Sequence, residues 1–380
     1  MDRRILAAVV LVPLLVLACA DSKEIRIGFA GPKTGENAQT GKAVYQGVQL
    51  AVDQWNASGG TLGKKAVLFE ADDGSDPAKA VEAANKLCRD RVLVVVGHVD
   101  SGCTLKARPV YFQSGVVMIT PTSTHPDVTD LGEGKVFRVC GRDDAQGREA
   151  AVWVIRQKTP GPLVVLNDGS PYGERLAREF QDNFEFLSGA KAALSEVVAK
   201  GTTDFEPLVA KVGAAAPGVI YFGGLGTQGG SLLKALRAAG VKGLFIAGDG
   251  CFGDEFLTAA GLEAAEGARM TFAKDPASLP ATRPIVEAYR EKYGDPGPYA
   301  LFGFAAARIA LEAAAESVPP LNERSLRDAM HRLQFKTVFG LAKFDDKGDI
   351  TENPYIVWRV EGGKFWECRE LQPPADITAE

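Results

Sequence analysis

The chain has 380 residues, 46% of them apolar, with 43 Lys and Arg against 48 Asp and Glu for a net charge of −5. That length accommodates two domains of ordinary size, about 100–200 residues each. The mild acidity, with no basic cluster interleaved with aromatics, excludes the electrostatic footprint of a nucleic-acid binder.

Met1 to Arg4 are short and basic, Ile5 to Ala18 form an unbroken apolar run, and Val16-Leu17-Ala18-Cys19 puts small residues before a cysteine. A bilayer-spanning helix needs about 20 apolar residues, so the run reads as a secretory signal, residues 1–19, with the spacing of a bacterial lipobox ending at Cys19. The expectation is an exported chain with acyl groups on Cys19 as its membrane contact; cleavage after Ala20 by an ordinary signal peptidase is the alternative.

Ile25 to Phe29 predicts a strand ending at Gly31-Pro32, and apolar residues at 44, 48, 51, 52 and 55 predict a helix that stops at Asn56-Ala-Ser-Gly-Gly60. Lys65 to Glu70 gives a second strand. Asp76-Pro77 opens a helix, with Asp as N-cap and Pro in the first turn. Val92 to Val96 is apolar throughout, as in a strand buried on both faces of a parallel sheet, and Val116 to Ile119 repeats the pattern. These elements predict a doubly wound α/β lobe. A second series begins after Arg142-Asp143. Its strands are expected at Leu163–Leu166, Val197-Val198, Val219–Phe222 and Leu244–Ala247, with helices near 173–187, 204–213 and 229–239. A mainly helical stretch at about 282–335 and a β-rich tail follow, the tail holding a turn at Phe344–Asp349 and a strand at Tyr355–Val360. No low-complexity linker separates the two series, which suggests a hinged pair of lobes with a cleft between them.

Four predicted strand ends carry small or hydroxylic residues: Gly97 to Gly102, Thr120 to Thr124, Asn167 to Gly173, and Gly248-Asp249-Gly250. In open α/β sheets, ligands bind outside the carboxyl ends of the strands. Hydroxyls and free N–H groups at a helix N-terminus bind a carboxylate, although Ser and Thr are also ordinary N-caps. Ser101 and the Thr122-Ser123-Thr124 group follow successive strands of one lobe, and Asp249 follows a strand of the other. An anion site facing a lone carboxylate suits the α-carboxylate and α-ammonium of a free amino acid.

Other motifs read as structural. Gly224-Leu-Gly226-Thr-Gln-Gly229 matches the dinucleotide pattern, but it lies mid-chain and lacks an acidic strand end about 20 residues on, so a flexible loop at the cleft edge is expected. His98, His125 and His331 have no metal spacing, and His98 at a buried strand end reads as structural. Asp72-Asp73 and Asp345-Asp346 lack the ligand ladder of a calcium loop and read as turns. No catalytic residue, metal or cofactor is therefore expected. Among Cys88, Cys103, Cys140, Cys251 and Cys368, a Cys88–Cys103 disulfide is the first expectation, the two flanking one short strand.

The order of Ile25-x-Ile-Gly, Gly31-Pro-x-x-Gly35, Gly47-x-x-Leu-Ala-Val, Asn56-Ala-Ser-Gly-Gly-x-x-Gly63, Asp72-Asp73-x-x-Asp76-Pro, Val96-Gly-His98, Ile119-Thr-Pro121, Asp144-Ala-Gln-Gly147, Tyr172-Gly173-Glu174 and Asp204-Phe205 resembles the branched-chain amino-acid (Leu/Ile/Val-type) binding proteins of bacterial ABC importers. The resemblance implies a type I periplasmic-binding fold. It has two α/β lobes joined by three crossings near residues 141, 272 and 340, with lobe 1 at 22–141 plus 273–338 and lobe 2 at 142–272 plus 339–380. It also implies that the ligand's carboxylate meets Ser101, Thr122, Ser123 and Thr124, that its ammonium meets Asp249, and that Tyr172 closes over it, with Tyr299 as a further wall. The implied partners are an amino acid and a membrane permease with its ATPase, served by a monomer in the periplasm. The alternatives are a ligand-sensing lipoprotein, or an exported nucleotide-dependent enzyme using the Gly224–Gly229 loop. The chain departs from the family pattern in having Leu225 where a second cleft tyrosine is common, and Asp249 where Glu is common. The family's first-lobe disulfide would join the positions held here by Ser75 and Asp100.

Overall fold

The structure is a computed structural model and describes residues 24–60, 63–276, 279–351 and 355–368. Cys19 and the signal segment 1–19 lie outside the described residues. The first unit runs β1 (Glu24–Gly31), α1 (Ala38–Ala57), β2 (Lys65–Asp72), α2 (Pro77–Arg89), β3 (Val94–Gly97), α3 (Ser101–Ser114), β4 (Val117–Thr120), α4 (Asp127–Asp130) and β5 (Val136–Arg138). Its five strands form a parallel sheet in the order β2-β1-β3-β4-β5. Every residue of β3 and β4 is buried, as a strand covered by helices on both faces requires. The strand order reverses between β1 and β3, which opens a crevice at their carboxyl ends. Helix α2 starts where the sequence predicts, the Asp76 carboxylate accepting from the Ala78 and Lys79 amides with Pro77 in the first turn.

The second unit runs α5 (Asp143–Gln157), β6 (Leu163–Asn167), α6 (Pro171–Ser188), β7 (Leu194–Val197), α7 (Glu206–Ala214), β8 (Val219–Gly223), α8 (Gly226–Ala238), β9 (Leu244–Ala247), α9 (Asp254–Ala260), α10 (Leu262–Ala265) and β10 (Arg269–Ala273). Three helices follow, α11 (Arg283–Tyr293), α12 (Ala300–Ala315) and α13 (Glu323–Arg332). After them come the hairpin β11 (Phe335–Thr337) and β12 (Gly340–Ala342), and then β13 (Tyr355–Glu361) and β14 (Lys364–Glu367). The second sheet is mixed, in the order β14-β13-β10-β9-β8-β6-β7, with β13 antiparallel to β10 and β14.

Apolar side chains cover both faces of each sheet. Helices α12 and α13 return to the first sheet, where Ala306, Leu311 and Met330 share a core with Ile27, Val48 and Val96. Helix α12 crosses α1 at two glycines: a Cβ at Gly47 would lie 1.9 Å from the Ala300 carbonyl oxygen, and one at Gly303 would lie 2.3 Å from that of Val44. Among the described residues no helix is long and apolar enough to cross a membrane.

Three expectations are corrected. Cys88 and Cys103 are free thiols, as are Cys140 and Cys251. Cys88 closes α2 while Cys103 opens α3. Parallel α/β topology puts helix starts and helix ends at opposite edges of the layer, so no bridge joins them. The turn at 344–349, assigned by sequence to the second lobe, joins the first: Asp349 bridges to Arg138 of β5, and the Phe344 ring packs 5.0 Å from that of Phe137. The Gly224–Gly229 segment runs through the Leu225 N-cap into the first turn of α8, which begins at Gly226, rather than forming a flexible loop. Its glycines allow close packing, since a Cβ at Gly229 would lie 2.7 Å from the Cys251 sulfur and one at Gly230 2.5 Å from the Phe256 carbonyl oxygen.

Candidate ligand-binding site

A cavity of about 550 Å³ lies between the carboxyl ends of the two sheets, lined from one side by Ser101, Gly102 and Thr122 and from the other by Tyr172, Leu225 and Asp249. Ser101 is the first residue of α3, a 14-residue helix with no side-chain cap. The leading N–H groups of that helix have no partner within it, and they open at Gly102 onto the cavity. The Ser101 hydroxyl accepts from the His125 amide at 3.3 Å, and Thr122 donates to the Val99 carbonyl at 2.6 Å, leaving its lone pairs free to accept. This edge of the cavity suits a carboxylate.

On the opposite wall Asp249 stands in the single 3₁₀ turn that follows β9. Tyr172 donates to its Oδ1 at 2.7 Å and in turn accepts from the Gly250 amide at 2.9 Å. Tyr299, at the start of α12, donates to Oδ2. The flanking glycines follow from this packing: a Cβ at Gly248 would lie 2.2 Å from Leu176 Cδ2, and one at Gly250 2.9 Å from Tyr172 Cε1. Asp249 is 3% exposed, and this burial raises its pKa above the usual carboxylate range against the lowering effect of the two phenols. A buried carboxylate held by two tyrosines at the cavity wall is suited to a cation.

Six of the eight residues expected at the site therefore line one cavity: Ser101, Thr122, Tyr172, Leu225, Asp249 and Tyr299. Ser123 and Thr124 do not. The Ser123 hydroxyl is fully buried against Thr104 (2.6 Å) and the carbonyls of His98 and Val99, where it ties the β4 loop to the β3 loop. Thr124 is buried towards Asp143 at the start of α5. Phe252, which the sequence reading passed over, also lines the cavity and stacks on Phe272 with ring centroids 4.3 Å apart. Its position, directly after the turn that holds Asp249, was the available signal.

His98 is structural as expected, its ring held between Asp73 Oδ2 at 2.6 Å and the Tyr111 hydroxyl at 3.1 Å in a fully buried chain. Asp72 accepts from the Gly74 amide of its own turn and from the Lys33 amide after β1, and Asp345 closes its turn by accepting from the Lys347 and Gly348 amides. At the family's disulfide position, Asn37 joins the two residues instead: it donates from Nδ2 to Asp100 at 2.7 Å and its amide donates to the Ser75 hydroxyl at 3.3 Å.

Asp143 is fully buried, and burial pushes its pKa well above the usual range against the lowering effect of the neighbouring Thr124 hydroxyl. A raised carboxyl pKa contributes stability that is fully present below about pH 4 and is lost as pH rises through the raised value. Asp143→Asn, which keeps the shape and removes the charge, is therefore expected to melt several degrees above wild type at pH 8, the gap closing towards pH 4 in calorimetric scans. An unchanged gap across that range would contradict the assignment.

A family model described as periplasmic binding protein matches residues 24–364. The chain belongs to the periplasmic binding protein family, with the type I fold of two α/β units, and a periplasmic location comes with that membership. It is 34% identical over 373 residues, 98% of this chain and 100% of the relative, to the Leu/Ile/Val-binding protein homolog 1 of Brucella abortus. It is 35% identical over 345 residues, 90% of this chain and 92% of the relative, to an amino acid binding protein of Pseudomonas aeruginosa. Among solved structures it is similar to the branched-chain amino acid transporter substrate binding protein LivJ of Streptococcus pneumoniae in complex with isoleucine, with a TM-score of 0.82 and 25% identity, covering 90% of this chain and 97% of that one.

Proposed function

We propose that this protein is the extracytoplasmic receptor of an ABC importer, capturing a branched-chain or closely related amino acid in the cleft and delivering it to a membrane permease and its ATPase. The observation that carries the reading is one cavity with the open start of α3 and Thr122 on one wall and the Tyr-bound Asp249 on the other. The carboxylate of the ligand meets the first, its ammonium the second, and its side chain lies against Leu225 and Phe252. No bond is broken, and affinity comes from charge-assisted hydrogen bonds in a closed cleft. Each half of the site sits on a different sheet, so the ligand favours closure because the closed state alone makes both sets of contacts. The names of the relatives, Leu/Ile/Val-binding and amino acid binding, support the ligand class. In the same reading the protein works as a monomer tethered through Cys19, with lobe 1 at 22–141 plus 273–338, extended to include the 344–349 turn, and lobe 2 formed by 142–272 and the remaining tail.

A thermal-shift screen of the mature protein against the free amino acids tests this. A ligand at 100 times its dissociation constant adds about 2.7 kcal/mol of stability. L-Leucine, L-isoleucine or L-valine is expected to raise the melting temperature, and no shift with any free amino acid would refute the reading.

A further inference from the structure

The loop between β7 and α7 leaves the edge of the second sheet and reaches the mouth of the cavity. Gln228 of α8, itself buried, anchors its base by donating from Nε2 to the carbonyls of Val198 and Ala199 at 3.1 and 2.9 Å. From that base Lys200 extends its ammonium to Glu36, in the loop that leads into α1 on the first sheet, at 3.1 Å. Glu36, Asp100 and Asp168 line the same cavity as Asp249, and Lys200 is the one Lys or Arg among its described lining residues. Glu36 and Asp100 belong to the first unit and Asp168 to the second, so closing the cleft brings like charges together and Lys200 stands among them. An isolated exposed ion pair adds little. A cation that pairs across the cleft and offsets repulsion arising only on closure favours one state over the other, and a contact made in one state alone shifts the equilibrium towards it.

We propose that Lys200 is an interlobe latch: its ion pair with Glu36 forms in the closed cleft, holds that state and slows ligand release. Opening moves the 198–205 loop away with the second sheet and breaks the pair. Lys200 acts through closure rather than through the ligand, so it is a positioning residue.

Two measurements test the latch, the second resting on the proposed ligand class. Carbodiimide coupling of the wild-type protein, mapped by mass spectrometry, is expected to give a Glu36–Lys200 isopeptide whose yield rises with L-isoleucine. Lys211–Glu196, a pair within the second unit at 2.8 Å, couples regardless of ligand and serves as the control. Coupling of the control without any Glu36–Lys200 product, with or without L-isoleucine, would overturn the latch. In stopped-flow release of L-isoleucine, Lys200→Ala is expected to dissociate about fivefold faster than wild type. Lys200→Glu is expected to be faster still, Lys200→Arg within about twofold of wild type, and the salt dependence of the rate to disappear in the Ala variant. Equal release rates across the series would also overturn it. If L-isoleucine fails to bind the wild type, the ligand reading fails, and the coupling experiment alone decides on the latch.

Discussion

Asp249→Ala is expected to weaken the binding of L-isoleucine by about 2–5 kcal/mol, the range for removing one partner of a buried, hydrogen-bonded charge pair. In dissociation constant that is roughly 30-fold to 5,000-fold. The size of the effect follows from the burial of the carboxylate and from its two phenol donors, Tyr172 and Tyr299, which hold it in place so that little ordering remains when the ammonium arrives. Asp249→Asn keeps the shape and loses the charge, so it should lose nearly as much. Burial raises the Asp249 pKa, and an ammonium ligand selects the ionised form. Affinity is therefore full at neutral and higher pH and declines as pH falls through the raised value, earlier than an exposed aspartate would allow. Calorimetric titration from pH 8 to pH 5 reads both effects. Unchanged affinity in the Ala variant would remove Asp249 from the site.

The second large effect lies at the junction of the two units. Asp349→Ala is expected to cost about 3–5 kcal/mol of stability, because it leaves a buried guanidinium without its counter-charge. Arg138 is fully buried and donates from Nε to Asp349 Oδ1 at 2.8 Å, while Arg142 donates to Oδ2 at 2.7 Å and Thr129 to both oxygens at 2.9 Å. The same Arg138 donates to the carbonyls of Ser123 and His125, at 3.1 and 2.8 Å, so the knot also supports the loop that carries Thr122. Arg142 continues it to Asp130 and Asp144, and Asp144 lies in the first turn of α5. Urea denaturation of Asp349→Ala beside Asp346→Ala, an exposed neighbour expected to change stability by less than about 0.5 kcal/mol, measures the difference. Equal midpoints for the two variants would contradict the account of the knot.

Much of this architecture was legible in the sequence because parallel α/β folds write themselves in strong signals. Val94-Val95-Val96 is a buried strand with no polar interruption, and Asp76-Pro77 is a helix start that needs no tertiary context. Strand β5 carries no such signal, because its Arg138 is polar in sequence and acquires its partner, Asp349, from far along the chain. Strand β10 was missed for a similar reason: Thr271 sits mid-strand, satisfied by Gln146 at 2.9 Å. At the site, Ser101, Tyr172 and Asp249 were legible because they stand directly at strand or helix ends. The hydroxyl group at 122–124 was legible as a unit but not residue by residue. Neighbouring side chains in that turn point different ways, leaving Thr122 at the cavity and Ser123 in the interior. Lys200 was illegible because only the packing of distant segments brings it to the cleft, whereas Phe252 stood next to the Asp249 turn in sequence.

The most direct test of the central claim is a crystal structure of the mature protein grown with L-isoleucine. The account predicts the amino acid enclosed between the two sheets, its ammonium within hydrogen-bond distance of Asp249 and its carboxylate at Ser101, Thr122 and the first amides of α3. A cleft without the amino acid, or an isoleucine whose ammonium points away from Asp249, would contradict it.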